Sequence, residues 1–271
     1  MQTNDPFKTF HSFTYSKDGF FRGSSELIAE APLEILINQE RHVLIMFTPQ
    51  MTKELVIGFI FTEGLISSVS EIAECTITLV RKKDGEQVIE ARVTISSQRP
   101  NHFVSTGKRI SYSSCGICGR ENFYDLKSGL GRVKSRHRFS MDMLKRFLAR
   151  MQDFQPLYER TGGAHAAILL DRKARPVLHC EDMGRHNALD KVIGCTLIRR
   201  IPCEDKILVS SGRASLEMIL KLAKAGIPVF VAMSRPTSKA VEAAKFYNIT
   251  LMDMAKGSNR IYSHARRIEE F

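Results

Sequence analysis

The chain has 271 residues, 43% of them hydrophobic, so it can bury a full core as one large domain or two of ordinary size without disulfide staples. Forty Lys and Arg against 29 Asp and Glu leave a net charge of +11, which favours an anionic partner: nucleic acid, a phosphorylated cofactor or an acidic protein. Residues 1–21 lack a basic flank followed by an apolar run, and no later apolar stretch approaches the roughly 18 residues of a membrane span, so no secretory leader and no membrane partner are expected, and a cytoplasmic location is.

In PLEILINQERHVLIMFTP, Leu33, Ile35 and Ile37, then Val43, Ile45 and Phe47, alternate across a polar turn, the pattern of a hairpin. A helix is predicted to follow, with Thr48 as cap, Pro49 at its first position, and Leu55, Phe59 and Ile60 as its apolar face up to Gly64. AECTITLVRKKDGEQVIEARVTI predicts a second hairpin turning at Asp84-Gly85. Residues 96–138 show no sustained period. A span of this length without one, inside a compact protein, is functional or mobile.

FSMDMLKRFLARMQDF resumes as a helix capped by Ser140 and closed before Pro156. AAILLDRKARPVLHC predicts a hairpin and HNALDKVIGCTLIRR a helix with Asn187 near its start. The last third alternates strand and helix: KILVSS, ASLEMILKLAKAG ended by Gly226, PVFVAM, TSKAVEAAKFYN capped by Thr237 or Ser238, and ITLMDM. Right-handed crossovers make those three strands parallel, a β-α-β-α-β unit.

Parallel strands place their carboxyl ends on one edge, where open α/β sheets bind ligands. Three loops distant in sequence must therefore converge: Ser211-Gly212-Arg213, Ser234-Arg235-Pro236-Thr237, and Met254-Ala255-Lys256-Gly257 continuing into Ser258-Asn259. Each brings one cation, and two of them open helices whose free N–H groups favour anions, so these residues are candidates for holding a phosphate or nucleotide. Ordinary turns with solvated cations are the alternative.

Two further clusters stand out. RTGGAH sets Gly162 and Gly163, a possible oxyanion nest or a plain tight turn, before His165. CEDMGRHNALDK crowds Glu181, Asp182, Arg185, His186, Asn187, Asp190 and Lys191 into a helix entry, where so many polar groups are costly unless they meet one another or a ligand. Basic residues also gather in 131–139 and 264–267, but no RNA-recognition signature, C2H2 spacing or basic-aromatic alternation appears. A small polyanion is preferred and nucleic acid is not expected.

SYSSCGICGRE (111–121) places Cys115 and Cys118 beside Gly116 and Gly119, in the aperiodic span. Metal ligation, a disulfide and a reactive thiol are the candidates. The other four of the six cysteines have no partner at CxxC distance, as a structural zinc site would require. The zinc-deaminase signature also fails, since Ser114 precedes Cys115 and Ala166-Ala167 follow His165. Two glycines make a poor helix start for a thioredoxin-like pair. Thiol chemistry without a structural metal is the expectation.

The chain resembles the FdhD/NarQ family of sulfur carrier proteins required for formate dehydrogenase maturation. The resemblance runs through EAPLEILIN (30–38), TPQMTKELVIGFIFTEGLI (48–66), SSCGICG (113–119), TGGAH (161–165), EDMGRHNALDKVIG (181–194) and SGRASLEMILKLAKAGIPV (211–229). It implies a sulfurtransferase whose CxxC loop receives persulfide sulfur from a cysteine desulfurase, with the intermediate on Cys115 and Cys118 assisting. The recipient it implies is the molybdenum cofactor in its bis-guanine-dinucleotide form, bound as substrate, for formate dehydrogenase. It further implies an α/β fold as a homodimer: a smaller N-terminal α+β hairpin domain ending in a long mobile CxxC loop (1–136), and a three-layer deaminase-like domain (137–271). The chain departs from the family pattern at Cys180, where Arg is usual, at Arg235, and at Asp253-Met254-Ala255-Lys256, where G-F-x-R is common. A redox-sensing nucleotide-binding regulator that closes its CxxC to a disulfide is the alternative reading.

Overall fold

Alternating aliphatic runs at both ends of the chain build two sheets, and the helices between them supply the layers that join the two. The computed structural model describes residues 5–83, 85–96, 110–111 and 130–271. The predicted thiols Cys115 and Cys118 lie outside the described residues, as do Asp84 and the side chain of Lys256. In chain order the elements are β1 (Phe7–Ser16), β2 (Gly19–Ile28), β3 (Ala31–Ile37), β4 (Glu40–Phe47), α1 (Thr52–Thr62), β5 (Ile72–Arg81), β6 (Gln87–Ile95), β7 (Ile110–Ser111), α2 (Met141–Leu148), α3 (Pro156–Thr161), β8 (His165–Leu170), β9 (Pro176–Asp182), α4 (Arg185–Ile198), β10 (Ile207–Arg213), α5 (Leu216–Ala225), β11 (Val229–Ser234), α6 (Ser238–Tyr247), β12 (Thr250–Asp253) and β13 (Arg260–Ser263).

The larger sheet has the order β13-β12-β11-β10-β8-β9. β10, β11 and β12 are parallel, and β8 and β9 form an antiparallel hairpin beside β10, as their sequences predict. Both faces are covered, and residues alternate between them with the period of two that a strand imposes. Ile168, Val209, Val231 and Met252 face a core closed by Leu144 and Phe147 of α2. Leu169, Leu208, Phe230 and Leu251 face the other way, into a core shared with α4, α5 and α6. That second core continues through Leu55 and Ile60 of α1 into the face of the smaller sheet that carries Leu33, Ile35, Ile45 and Phe47. The smaller sheet has the order β5-β6-β3-β4-β7, and its two predicted hairpins are joined by parallel pairing of β3 with β6.

α1 and α4 cross with their backbones in contact. A Cβ built on Gly58 would lie 1.8 Å from the Asp190 carbonyl oxygen, and one on Gly194 would lie 1.9 Å from that of Glu54. Only glycine allows this approach.

Several local readings need correction. α1 starts at Thr52 rather than at Pro49, after Met51 in the left-handed conformation, and Thr48 is drawn away from capping because its N–H bonds to Asp182 at the end of β9, its hydroxyl to Met183, and its carbonyl to Lys191 of α4. The helix expected over residues 140–155 ends at Leu148, and a separate one opens with Pro156 at its first turn. Ser140 does not cap α2 with its own side chain. The Glu270 carboxylate takes that place, accepting from Met141 N–H at 3.0 Å and from the Ser140 hydroxyl at 2.7 Å, and these bonds pull its pKa down to about 2. β13 and the β1–β2 ribbon have no counterpart among the predicted elements. The ribbon forms a separate two-stranded sheet with Phe10, Phe13, Tyr15, Phe20, Phe21 and Leu27 exposed.

Candidate functional site

The three predicted strand-end loops meet at one edge of the larger sheet. β10 and β11 end together, with Arg213 in register with Ser234, and Thr237 N–H donates to the Ala214 carbonyl at 3.0 Å. β11 and β12 are in register at Ala232 and Asp253, and Met254 N–H donates to Ala232 O at 3.0 Å. β8 runs antiparallel to β10, so it begins at this same edge with His165, and its partner β9 ends there with Asp182 opposite His165. Three helices also start here. α5 is capped by the Ser215 hydroxyl, which accepts from Met218 N–H, and α6 by the Thr237 hydroxyl, which accepts from Ala240 N–H; α4 opens after Gly184. Their N-terminal dipoles add positive potential to an edge on which Arg213 and Arg235 are exposed.

Within the edge, Ser211 Oγ accepts from Ala166 N–H at 2.9 Å and lies 3.3 Å from His165 Nδ1. Burial first, and then the positive charge of Arg185, push the His165 pKa below its ordinary value, so the imidazole is neutral near pH 7 and offers a hydrogen bond rather than charge. The Arg185 side chain runs across Gly212, where an added Cβ would meet Arg185 Cδ at 2.9 Å. His186 Nε2 sits 3.2 Å from Ser215 Oγ and 3.4 Å from Glu217 Oε2. Burial pushes Glu217 up to about 7 against the opposing pull of Lys221, with Glu63 and Asp190 adding to the rise.

Gly162 and Gly163 lie at the rim. Gly162 closes α3 in the left-handed conformation with its N–H on the Tyr158 carbonyl, and Gly163 donates to Thr161 Oγ1 and packs against Ile28. Both N–H groups are thus used within the turn. The third loop turns through Ala255–Gly257 under the control of Asp253, a buried carboxylate. Asp253 Oδ1 accepts from Ala255 N–H at 2.8 Å, Oδ2 from the Tyr262 hydroxyl at 3.3 Å, and its main-chain oxygen from the Ser258 hydroxyl at 3.0 Å. Met254 packs into the core under the loop, and Asn259 ends it with positive φ.

The crowded run 180–191 divides in two. Arg185 and His186 face the edge, whereas its other polar members hold the scaffold. Asp182 Oδ1 accepts from Gly184 N–H and Asn187 Nδ2, and Oδ2 from Thr48 N–H, while Lys191 Nζ lies 2.7 Å from Oδ2 with both side chains fully buried. Lys191 also donates to the Thr48 and Glu181 carbonyls. Glu181 accepts from the N–H groups of Leu157 and Tyr158, fixing the start of α3. Asp190 pairs with Lys221 at 2.8 Å and accepts from Thr62, which joins α1, α4 and α5. Ser215 and Glu217 are not among the residues predicted from sequence, and Asp253 stands there as a departure from the family pattern rather than as a site residue. The first two follow directly on SGRA, where a serine before an apolar-periodic run with an acidic residue in its first turn is the signal of a helix start.

Of the cysteines among the described residues, Cys180 is a buried free thiol hydrogen-bonded to Cys195, and this hydrogen bond and burial raise its pKa; burial also raises Cys75 and Cys203. Cys180 is therefore a packing residue. Among the described residues no helix is long and apolar enough to cross a membrane.

A model of the FdhD/NarQ family matches residues 28–269. The chain is 35% identical over 256 residues to the sulfur carrier protein FdhD of Sulfolobus acidocaldarius, covering 93% of this chain and 95% of that one. It is 36% identical over 259 residues to the protein of the same name from Bacillus pumilus, with 94% and 95% covered. In fold it is similar to a crystal structure from Desulfotalea psychrophila described as a formate dehydrogenase accessory protein, with a TM-score of 0.75 at 22% identity over 97% of this chain and all of that one.

Proposed function

The chain belongs to the FdhD/NarQ family, and on that premise we propose that it is a sulfur carrier for formate dehydrogenase maturation. In this reading a cysteine desulfurase transfers the outer sulfur of its persulfide to the Cys115 thiolate, leaving the donor as a thiolate with no net oxidation. The sulfur then passes to the molybdenum cofactor in its bis-guanine-dinucleotide form, held at the strand-end edge as substrate, for delivery to formate dehydrogenase. Cys118 assists: its thiolate can attack Cys115 Sγ, releasing the outer sulfur as hydrosulfide and leaving a Cys115–Cys118 disulfide for a cellular dithiol to reduce. The carrier acts as a cytoplasmic homodimer.

The observation that carries the nucleotide half is the convergence at one edge of Arg185, Arg213 and Arg235, the Ser211 and Thr237 turns, and three helix N-termini. Two pyrophosphates bring the opposite charge. A neutral His165 beside Ser211 contributes a hydrogen-bond partner without adding charge. Charge-assisted contacts to phosphate are worth roughly 1.5 to 3 kcal/mol each, so replacing Arg213 by Ala is expected to weaken GDP binding at least about tenfold in calorimetry.

The thiol half is tested by mass spectrometry after incubation with cysteine and a desulfurase. A carrier gains about 32 Da per sulfur, whereas a disulfide regulator loses about 2 Da. Cys115→Ala is expected to abolish the gain and formate dehydrogenase activation while leaving GDP binding intact. Full labelling of Cys115→Ala with loss in Cys118→Ala would reverse the two roles, and retention in both would overturn the CxxC reading.

A further inference from the structure

The β1–β2 ribbon takes no part in the chemistry above, and all of it but Ile28 precedes residues 28–269, which the family model matches. Among the described residues, the anchoring contacts lie at its root. Arg160 of α3 stacks over the Phe7 ring at 3.6 Å and forks onto both carboxylate oxygens of Glu26, and Ile28 packs on Gly163. Beyond the root, the register puts Phe13, Tyr15 and Phe20 on one face, and Phe10, Phe21 and Leu27 on the other. Phe13, Tyr15 and Phe20 are 70%, 74% and 75% exposed. An isolated two-stranded ribbon is marginal in water, and among the described residues no third strand pairs with either of its edges. Apolar side chains on both faces of such an arm call for a cover.

We infer that the cover is a second copy of this chain, the two arms being exchanged across a two-fold axis. The area supports this occupant. Strands of ten residues make an arm about 33 Å long and about 10 Å wide, so its two faces offer about 700 Å². One arm laid on an unrelated protein would bury about 1,400 Å² in total, the low side of a standard interface. Exchange doubles this to about 2,800 Å², the range of obligate homodimers, because each copy both gives and receives an arm. Charge is compatible as well. Lys8, Lys17 and Arg22 against Asp18 and Glu26 leave the arm at about +1 in a chain of +11, so the arm itself brings little like charge to a second copy. The inference gives a surface to the two-copy assembly included in the functional reading and rests on that reading in this respect alone.

Sedimentation of the full-length chain at about 0.1 to 10 µM tests it. The unmodified chain is expected to be a dimer, and the triple variant Phe13→Ser, Phe20→Ser, Phe21→Ser to dissociate with a constant raised at least about a hundredfold. A photo-reactive benzoylphenylalanine in place of Phe13 avoids dependence on how that variant folds, and it is expected to give a cross-linked product of twice the chain mass. A monomer at 10 µM overturns both the arm exchange and the two-copy reading. A dimer that survives the triple substitution undiminished, or one whose Phe13 probe links only within its own chain, overturns the arm exchange alone.

Discussion

Gly58→Ala puts a methyl group where α1 and α4 touch main chain to main chain. The added Cβ would stand 1.8 Å from the Asp190 oxygen, 2.7 Å from its carbonyl carbon and 2.9 Å from Gly194 N. Contacts between such atoms settle near 3.2 Å or more, so the helices must part by about 1.4 Å along that line. No side chain can rotate away to absorb it. Overpacking costs about 1 to 3 kcal/mol, and this site belongs at the upper end because the shift also strains the Asp190–Lys221 pair in the same interface. About 3 kcal/mol corresponds to a fall in Tm of about 6 to 12 °C in a chain of this size. Differential scanning fluorimetry measures it, with Gly131→Ala, which meets nothing within 4 Å, as the control expected to stay unchanged. A Gly58→Ala protein melting within about 1 °C of wild type would refute the helix crossing described here.

Glu217 in the folded chain titrates at about 7 against an ordinary 4.5, so it stabilises fully below about 4.5 and loses that contribution as pH rises through 7. Urea unfolding across pH 5 to 8 is expected to show a decline on the order of 3 kcal/mol from this group, which Glu217→Gln removes; an equal slope in the variant would disprove the assignment. Lys191→Met leaves the Asp182 carboxylate buried without its countercharge and is expected to cost about 3 to 5 kcal/mol in the same assay, with Asp182→Asn in the double variant recovering part of it. A loss below about 1 kcal/mol would mean the pair is not buried as described. Elemental analysis of the purified chain is expected to find no stoichiometric zinc or iron, and one metal per chain that vanishes in Cys118→Ser would overturn the carrier mechanism.

The parallel strands and the edge where their loops meet were readable because short apolar runs separated by capped helices leave few topologies, and right-handed crossover leaves one. Arg213, Arg235 and the start of the third loop could therefore be placed together from sequence alone. What misled were residues whose local preference lost to a distant partner. Thr48-Pro49 has the local look of a helix start, yet the hydroxyl of Thr48 bonds to Met183, 135 positions away. Ser140 yields the cap of α2 to Glu270, 129 positions from Met141. The ribbon went unread because Phe10, Phe13, Tyr15 and Phe20 do not sort into an inner and an outer face, so the alternation that marks a half-buried strand is missing. Asp253 likewise shows no local sign that its carboxylate, together with Tyr262, shapes the candidate nucleotide loop.

The core that passes from the larger sheet through α1 to the smaller one also has a consequence in time. α1 ends at Thr62 and its packing partner α4 ends at Ile198, so more than 130 residues must leave the ribosome between the two. At about 5 to 20 residues per second that interval lasts roughly 7 to 27 s. Throughout it, Leu55, Val56 and Ile60 and the apolar face of the first sheet await a surface that does not yet exist. A nascent chain with this order of synthesis is a natural client for chaperones that shield apolar segments during translation. Its yield on expression is expected to depend on elongation rate and on holdase supply more than its final stability would suggest.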